Sequence, residues 1–239
     1  MDVIGVPITE RGVLRLSRRI FEFTRLYGSI GLPLPHSLCL LAVTAPSRVF
    51  DLAYEYMNSS QLRVWSSLIA IIPDLAYRFP DNTMVCYLSD DSFKSSEKFG
   101  YEIASLLVKA KAYNKVNVSE WLSLFKSRIS GRTASNIPGV NLLVADGYSW
   151  AYRVYVEFKA EKFISIDKLI PTPLDLLELI AYGYIGESVA VKAIRHAIRY
   201  LGEYIITSRN LTEAYEKLAN DREYISLIEN LNLVKPVVI

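Results

Sequence analysis

Cysteine, histidine and glutamine are nearly absent from this chain of 239 residues, and each shortage narrows what the protein can be. The two cysteines, Cys39 and Cys86, both lie in apolar runs. This indicates buried thiols, not a disulfide or a metal pair, and it fits a reducing cytosol. The two histidines, His36 and His196, are 160 positions apart, so a histidine-based metal site is not expected. The single glutamine, beside abundant isoleucine, tyrosine and lysine, is typical of a thermophile.

The chain also lacks an excess of either charge and any long apolar run. Its 27 basic and 25 acidic residues leave a net charge of +2, which argues against a protein that binds polyanions through its overall charge. No apolar run reaches the roughly 18–20 residues needed to cross a bilayer. The first residues, MDVIGVPITERGV, do not have the basic leader and apolar core of a signal peptide. We therefore expect a soluble, cytoplasmic protein without membrane contact.

What the sequence does have is an alternation of helical and strand-like segments in its first half. Residues 10–27 carry apolar side chains at the spacing of one helix face. The apolar runs near residues 38–45, 66–72 and 83–89 have the length of buried strands, and helical patterns separate them. This alternation predicts an α/β fold in which a parallel or mixed sheet carries helices on both faces, as in Rossmann-like proteins.

The rhythm changes beyond residue 115. Residues 141–169 predict up to three strands with turns near DGYS and KAEK, that is, a short antiparallel meander followed by a helical C-terminal region. We expect an α/β domain over residues 1–130 and the meander with its helices over residues 140–239, either as separate domains or packed as one. The stretch SGRTASNIPG, residues 130–139, is the best linker candidate.

Aspartates follow two of the predicted strands. Asp90 and Asp91 end the run TMVCYLSDD, and Asp146 ends LLVAD. Because the carboxyl ends of parallel strands line the working edge of an open sheet, carboxylates there could bind Mg²⁺ or Mn²⁺ in a hydrolase. Aspartate is also a common turn and N-cap residue, so the same side chains could simply cap the next helix. The residues alone leave both roles open.

The order of these elements resembles the RecJ-like DHH phosphoesterase superfamily over roughly residues 10–110. In that family a loop with His and Asp follows the first strand, a third strand ends in Asp, and a later strand ends in the DHH triplet. Here the first loop, TAPSRVFD, has no histidine, and Asp51 is displaced into the helix. Asp90 or Asp91 matches the family aspartate. The sequence ADGY stands at the DHH position, keeping Asp146 but replacing both histidines.

The missing histidines make the chain resemble the degenerate branch of that superfamily, the replication factor that joins MCM and GINS in the active helicase of archaea and eukaryotes. A site without these ligands holds too few groups for two metals. The resemblance therefore implies a scaffold without catalysis and without a metal cofactor. It also implies binding to helicase components of the GINS and MCM kind, and binding to single-stranded DNA.

The stretch MVCYLSDDSFKSS also resembles the phosphoribosyl-pyrophosphate loop of type I phosphoribosyltransferases. That resemblance implies an enzyme in which Asp90 and Asp91 hold the ribose hydroxyls. It further implies that three residues cradle the 5′-phosphate at the start of the next helix: Lys94, Ser95 and Ser96. The sequence departs from the family because the turn glycine is absent and Glu97 would face the phosphate.

A third pattern joins Asp146 with the stretch VEFKA. Glu157 and Lys159 in that stretch are similar to the D…(E/D)xK nuclease pattern, in which carboxylates bind Mg²⁺ and the lysine orients water. A hairpin at DGYS would pair Asp146 near Ala151 and leave Glu157 several residues further along the strand. Glu-x-Lys on an exposed strand is also common, so the nuclease stays an alternative.

Two basic stripes lie on predicted helices. The first is formed by Arg11, Arg15, Arg18 and Arg19. The second is formed by Lys192, Arg195 and Arg199, with His196 expected at the surface. Such stripes are usually solvated, but they can also contact a phosphate backbone or an acidic protein. With a net charge of only +2, we favour an acidic protein as the partner of the first stripe.

Overall fold

The computed structural model, which describes residues 1–129 and 139–239, contains a six-stranded sheet. All strand pairs are parallel, and the strand order is β3-β2-β4-β1-β5-β6. This confirms the predicted α/β class. The strands are β1 (Asp2–Val6), β2 (Ser29–Pro35), β3 (Thr83–Leu88), β4 (Leu142–Asp146), β5 (Phe163–Ser165) and β6 (Val237–Val238).

Helices make every connection between the strands. They are α1 (Glu10–Tyr27), α2 (His36–Thr44), α3 (Val49–Tyr56), α4 (Ser59–Ile69), α5 (Ile72–Arg78), α6 (Ser92–Tyr113), α7 (Val118–Ile129), α8 (Tyr148–Glu157), α9 (Pro173–Ala181), α10 (Ala190–Arg199), α11 (Leu211–Ala219) and α12 (Arg222–Glu229). A π-helical segment, Tyr200–Ile205, continues α10. Within the described ranges, no helix is both long enough and apolar enough to cross a membrane.

Helix α1 has the bounds that its apolar spacing predicts. Thr9 caps its first turn, since the Thr9 Oγ1 accepts a hydrogen bond from the Gly12 backbone at 3.0 Å. Gly28 ends it with a left-handed φ of 71°. The apolar face is fully buried, as predicted, through Val13, Leu16, Ile20 and Phe23.

Two of the three named strands are wrong. Residues 38–45 lie in α2 and its C-terminal end, and residues 66–72 span the end of α4 and the start of α5. Only the strand near residues 83–89 is confirmed, as β3. A short, uniformly apolar run carries no periodicity, so its pattern fits a buried helix as well as a buried strand.

The predicted antiparallel meander is also replaced by other elements. Residues 142–165 form β4, α8 and β5, and both strands run parallel to β1, one on each side of it. The DGYS stretch does not turn a hairpin, because Gly147 (φ 83°) leads directly into α8. The first two turns of that helix are buried on all sides, through Tyr148, Ser149, Trp150, Ala151, Arg153 and Val154.

The chain divides into two compact units. The α/β unit contains residues 1–97, 139–169 and 236–239, and it holds the whole sheet. The helical unit contains residues 98–129 and 170–235. Each unit therefore combines stretches from both predicted ranges, 1–130 and 140–239. The predicted linker at residues 130–139 lies outside the described residues except for its last position.

Candidate functional site

Asp90 lies in the loop between β3 and α6, where three hydrogen bonds converge on its carboxylate. The Ser37 backbone N–H donates to Oδ1 at 3.2 Å, and the Ser37 hydroxyl donates to Oδ2. The Tyr56 hydroxyl also donates to Oδ2, at 3.3 Å. Ser37 belongs to the first turn of α2, whose N-cap residue Pro35 makes no side-chain cap. Asp90 therefore caps α2 from a distant part of the chain.

The environment of Asp90 keeps it ionised. Burial acts to raise the pKa of Asp90, but the hydrogen bonds from Ser37 and Tyr56 and the charge of His36 outweigh it, so the pKa is lowered. A negative charge at a helix N-terminus is stabilised further by the helix dipole. The carboxylate thus holds the N-terminus of α2. The capping role that the sequence left open was at the next helix, α6, so Asp90 caps a different helix from the one considered.

Cys39 and Cys86 form a disulfide between α2 and β3, which corrects the prediction of two separate thiols. Both residues are buried, at 6% and 0% exposure, as predicted. The prediction failed because it placed both cysteines on strands, whereas α2 packs against β3 and brings their Cα atoms to 5.6 Å. We call the disulfide and the Ser37–Asp90 hydrogen bonds together the α2 clamp.

Asp91 and the following residues start α6. The Asp91 side chain is exposed, and its carbonyl accepts a hydrogen bond from the Ser95 backbone at 2.9 Å. Lys94, Ser95 and Ser96 lie in the first turns of the helix. Because Asp90 bonds to α2, the two aspartates do not act together on one ligand as the phosphoribosyltransferase pattern would require.

Asp146 ends β4 beside Val6 of β1, at the carboxyl edge of the sheet. From β1 the chain continues through α1 to β2, on one side of this pair of strands. From β4 it continues through α8 to β5, on the other side. Such a switch point is where open α/β sheets most often bind ligands. Asp90, Asp91 and Asp146 therefore all follow the carboxyl ends of their strands, as predicted. Among the described residues, no three His, Cys, Asp or Glu side chains are grouped as a metal site would require.

Glu157 and Lys159 are not brought to Asp146. They lie at the far end of α8, and ten helical residues span about 15 Å. Glu157 accepts a hydrogen bond from Arg153 at 3.0 Å in an ion pair. The nuclease pattern assumed a strand at this position, and the helix separates the residues that one Mg²⁺ would have to join.

The first arginine stripe is largely neutralised inside the α/β unit. Arg11 and Arg15 both form ion pairs with Asp167, at 3.4 and 2.8 Å. Arg19 pairs with Glu22 at 3.2 Å. Arg18 is exposed and makes no ion pair with any residue of the described ranges. Asp167 could not be predicted as a partner of these arginines, since only the fold brings the segment after β5 to α1.

The second stripe lines a groove of about 490 Å³ between α10 and α12 in the helical unit. Lys192 and Arg195 are exposed in this groove, and neither forms an ion pair with any described residue. Ser226 and Asn230 of α12 line it as well. The groove therefore combines two uncompensated cations with neutral hydrogen-bonding groups.

The other two α10 residues of the groove are held by α12 and its cap. Arg199 forms ion pairs with Asp221 at 3.3 Å and with Glu223 at 3.1 Å. His196 was expected at the surface but is only 8% exposed, with its ring 5.2 Å from that of Tyr224. Burial lowers the pKa of His196 against the opposing charges of Asp221 and Glu223, so the imidazole is neutral at pH 7.

No protein-family model, curated protein or solved structure compared with this chain matches it. A function must therefore follow from the chain's own residues.

Proposed function

We propose that this chain is a non-catalytic binding protein whose helical unit holds the phosphate backbone of single-stranded nucleic acid in the α10–α12 groove. One observation carries this proposal. Lys192 and Arg195 share a half-open groove and have no carboxylate partner among the described residues. Exposed cations without partners favour an anionic ligand, which releases counterions when it binds.

The spacing of the cations favours a linear polyanion over a compact one. Lys192, Arg195 and Arg199 stand at positions i, i+3 and i+7, so they share one face of α10. Along the helix axis they are separated by about 4.5 and 6 Å. A row of this kind can contact successive phosphates, while Ser226 and Asn230 offer neutral hydrogen bonds from the opposite wall.

The groove is expected to bind single-stranded nucleic acid with moderate affinity, and this affinity should depend strongly on the salt concentration. Arg199 already forms ion pairs with Asp221 and Glu223. Lys192 and Arg195 therefore supply most of the electrostatic attraction for the phosphates. Glu223 also lines the groove and disfavours a ligand at its Arg199 end. Binding of this kind does not distinguish sequences, because phosphate contacts carry no base information.

We place this binding protein, as part of the same proposal, in DNA replication. The support is the resemblance to the degenerate RecJ/DHH helicase cofactor, whose DHH position falls here on Asp146 at the carboxyl edge of the sheet. Two of the strands in that resemblance, at residues 38–45 and 66–72, are helices. Co-purification of GINS-like or MCM-like components with the tagged chain would support this setting. If the chain binds DNA but these components do not co-purify, the proposal would be limited to nucleic-acid binding, without the role in replication.

The DNA-binding proposal predicts that removing the two positive charges of the groove lowers the affinity for DNA and the salt dependence of that affinity. In Lys192→Gln/Arg195→Gln, two phosphate contacts disappear. The slope of log affinity against log salt should therefore flatten by about 1.4, with affinity lower on the order of 20-fold at about 0.1 M salt. Fluorescence anisotropy with a labelled oligonucleotide over a salt series measures both quantities.

The matched control is Lys98→Gln/Lys115→Gln, which removes the same charge from exposed positions of the same helical unit. Its salt slope should equal that of the wild type. Equal losses in both double variants would show that only net charge matters. A wild-type protein that fails to bind the oligonucleotide at low salt would contradict the proposal outright.

A further inference from the structure

His196 lies in the middle of the row of cations on α10. Lys192, His196 and Arg199 stand at positions i, i+4 and i+7, so they share one face of the helix, and all three line the α10–α12 groove. The rise of the helix separates the histidine from Lys192 by about 6 Å and from Arg199 by about 4.5 Å along the axis. A phosphate backbone that contacts both cations therefore passes over the imidazole.

The imidazole of His196 is buried, yet its polar atoms lack hydrogen-bond partners. The residue is 8% exposed, and its ring packs against that of Tyr224. Neither ring nitrogen makes a hydrogen bond with a described residue, and neither is fully enclosed by the protein. Buried polar side chains normally have hydrogen-bond partners. A histidine that lines a groove without such a partner is available to a ligand in that groove.

The surroundings of His196 keep its ring neutral in the free protein. Burial has the largest effect and lowers the pKa of the imidazole. The charges of Asp221 and Glu223 act to raise this pKa, whereas the charge of Arg199 adds to the effect of burial. Both carboxylates already form ion pairs with Arg199. An additional anion in the groove would therefore be needed to stabilise a proton on the ring.

The other elements around α10 bring ionisable groups that keep their charge near neutral pH. Helices α7 and α9, the turn before α10 and the π-helical segment after it all pack against α10. Among these groups and the cations of α10 itself, only His196 belongs to a residue type whose ordinary pKa lies between about 5.5 and 8. The carboxylates are Glu120, Asp175, Glu178, Glu187 and Glu203, the cations are Lys126, Lys192, Arg195 and Arg199, and the tyrosines are Tyr200 and Tyr204.

We infer that His196 binds the phosphate backbone as an imidazolium, taking up one proton from the solvent when single-stranded nucleic acid enters the groove. This inference rests on the proposed nucleic-acid binding. A phosphate oxygen accepts a hydrogen bond from the imidazole N–H, and the negative charge of the phosphate stabilises the added proton. His196 thus becomes a third charged contact beside Lys192 and Arg195, and its charge is acquired on binding.

Binding that takes up a proton must strengthen as the pH falls. The affinity should be constant at high pH, where His196 is neutral in both the free and the bound protein. It should rise as the pH falls through the pKa of the bound state, and level off only below the lower pKa of the free protein. Each unit by which the ligand raises this pKa increases the affinity tenfold. We therefore expect binding about tenfold tighter at about pH 5.5 than at about pH 8.

Fluorescence anisotropy with a rhodamine-labelled oligothymidylate, over this pH range at constant ionic strength, measures the affinity. The phosphodiesters and thymines of this probe keep their charge throughout the range. His196→Gln should bind with an affinity that does not depend on pH and is close to the high-pH affinity of the wild type. His36→Gln is the matched control. His36 is the other histidine of the chain, is exposed and belongs to the α/β unit, so this variant should keep the wild-type pH dependence.

NMR of the wild type keeps the test decisive if His196→Gln folds poorly. The chain has two histidines, so comparison with His36→Gln assigns the ring signals of each. The oligothymidylate should move the midpoint of the His196 titration upward by about one pH unit. If the wild type binds the probe with the same affinity at every pH, or His196→Gln keeps the wild-type pH dependence, the inference is wrong while nucleic-acid binding stands. A wild type that does not bind the probe at any pH overturns the proposed function and this inference with it.

Discussion

Replacing Cys39 and Cys86 with serine is expected to lower the free energy of unfolding by about 4 kcal/mol. The disulfide joins residues separated by 47 positions, so it removes much conformational freedom from the unfolded chain. The chain-entropy relation for a loop of this length gives the value of about 4 kcal/mol. Urea unfolding of the wild type and of Cys39→Ser/Cys86→Ser under oxidising conditions measures the difference.

Reductant supplies the control for the disulfide prediction. A dithiol should lower the unfolding midpoint of the wild type towards that of the double serine variant. The variant itself has no cysteine left and should not respond. Two reactive thiols in the freshly denatured, unreduced wild type would contradict the bond, as would equal midpoints with and without reductant.

The disulfide also bears on the expected reducing environment. Disulfides are rare in the cytosol of mesophiles but are common in intracellular proteins of hyperthermophiles. The single glutamine is the sequence feature that indicated a thermophile. A bonded Cys39–Cys86 pair in a cytoplasmic protein is consistent with such a source. The cytoplasmic location remains a prediction.

The parts of the fold that the sequence predicted are those with a clear local period. Helix α1 shows apolar residues every three to four positions, so its length and buried face follow directly. Strand β2 was missed because Pro33 and Pro35 usually exclude a central strand. It tolerates them because it pairs with β4 only at Ile30 and Gly31 and has an irregular register with β3.

The site residues were harder to predict because their partners are distant in the sequence. Asp90 was correctly placed at the carboxyl edge, but its role depends on Ser37, 53 positions earlier. Asp167 compensates Arg11 and Arg15 only through the pairing of β5 with β1. His196 falls within a basic stripe of the sequence, yet it is buried beside Tyr224 of α12. In each case the role of the residue was determined by tertiary contacts that the sequence does not show.

Replacing Asp90 with asparagine is expected to lower the free energy of unfolding by about 2 kcal/mol at neutral pH. The change removes the negative charge that accepts hydrogen bonds from Ser37 and Tyr56, and such charged hydrogen bonds contribute roughly 1.5–3 kcal/mol when buried. Asp90 is only half-buried, so solvent screening reduces the total. Urea unfolding at pH 7 compares the two proteins. Asp91→Asn is the control, because Asp91 is exposed, and it should change stability by less than about 0.5 kcal/mol.

The same substitution should show a defined pH dependence. The pKa of Asp90 is lowered in the folded protein, so the folded state binds its proton less readily than the unfolded chain. The stabilisation from its charge is therefore fully present above the unfolded pKa of about 3.9 and is lost as pH falls through the folded pKa. The difference between wild type and Asp90→Asn should stay constant from about pH 5 to 8 and shrink below about pH 4. A difference that is independent of pH down to about 2.5 would show that Asp90 acts through its shape and not its charge, which would contradict its role as an ionised cap of α2.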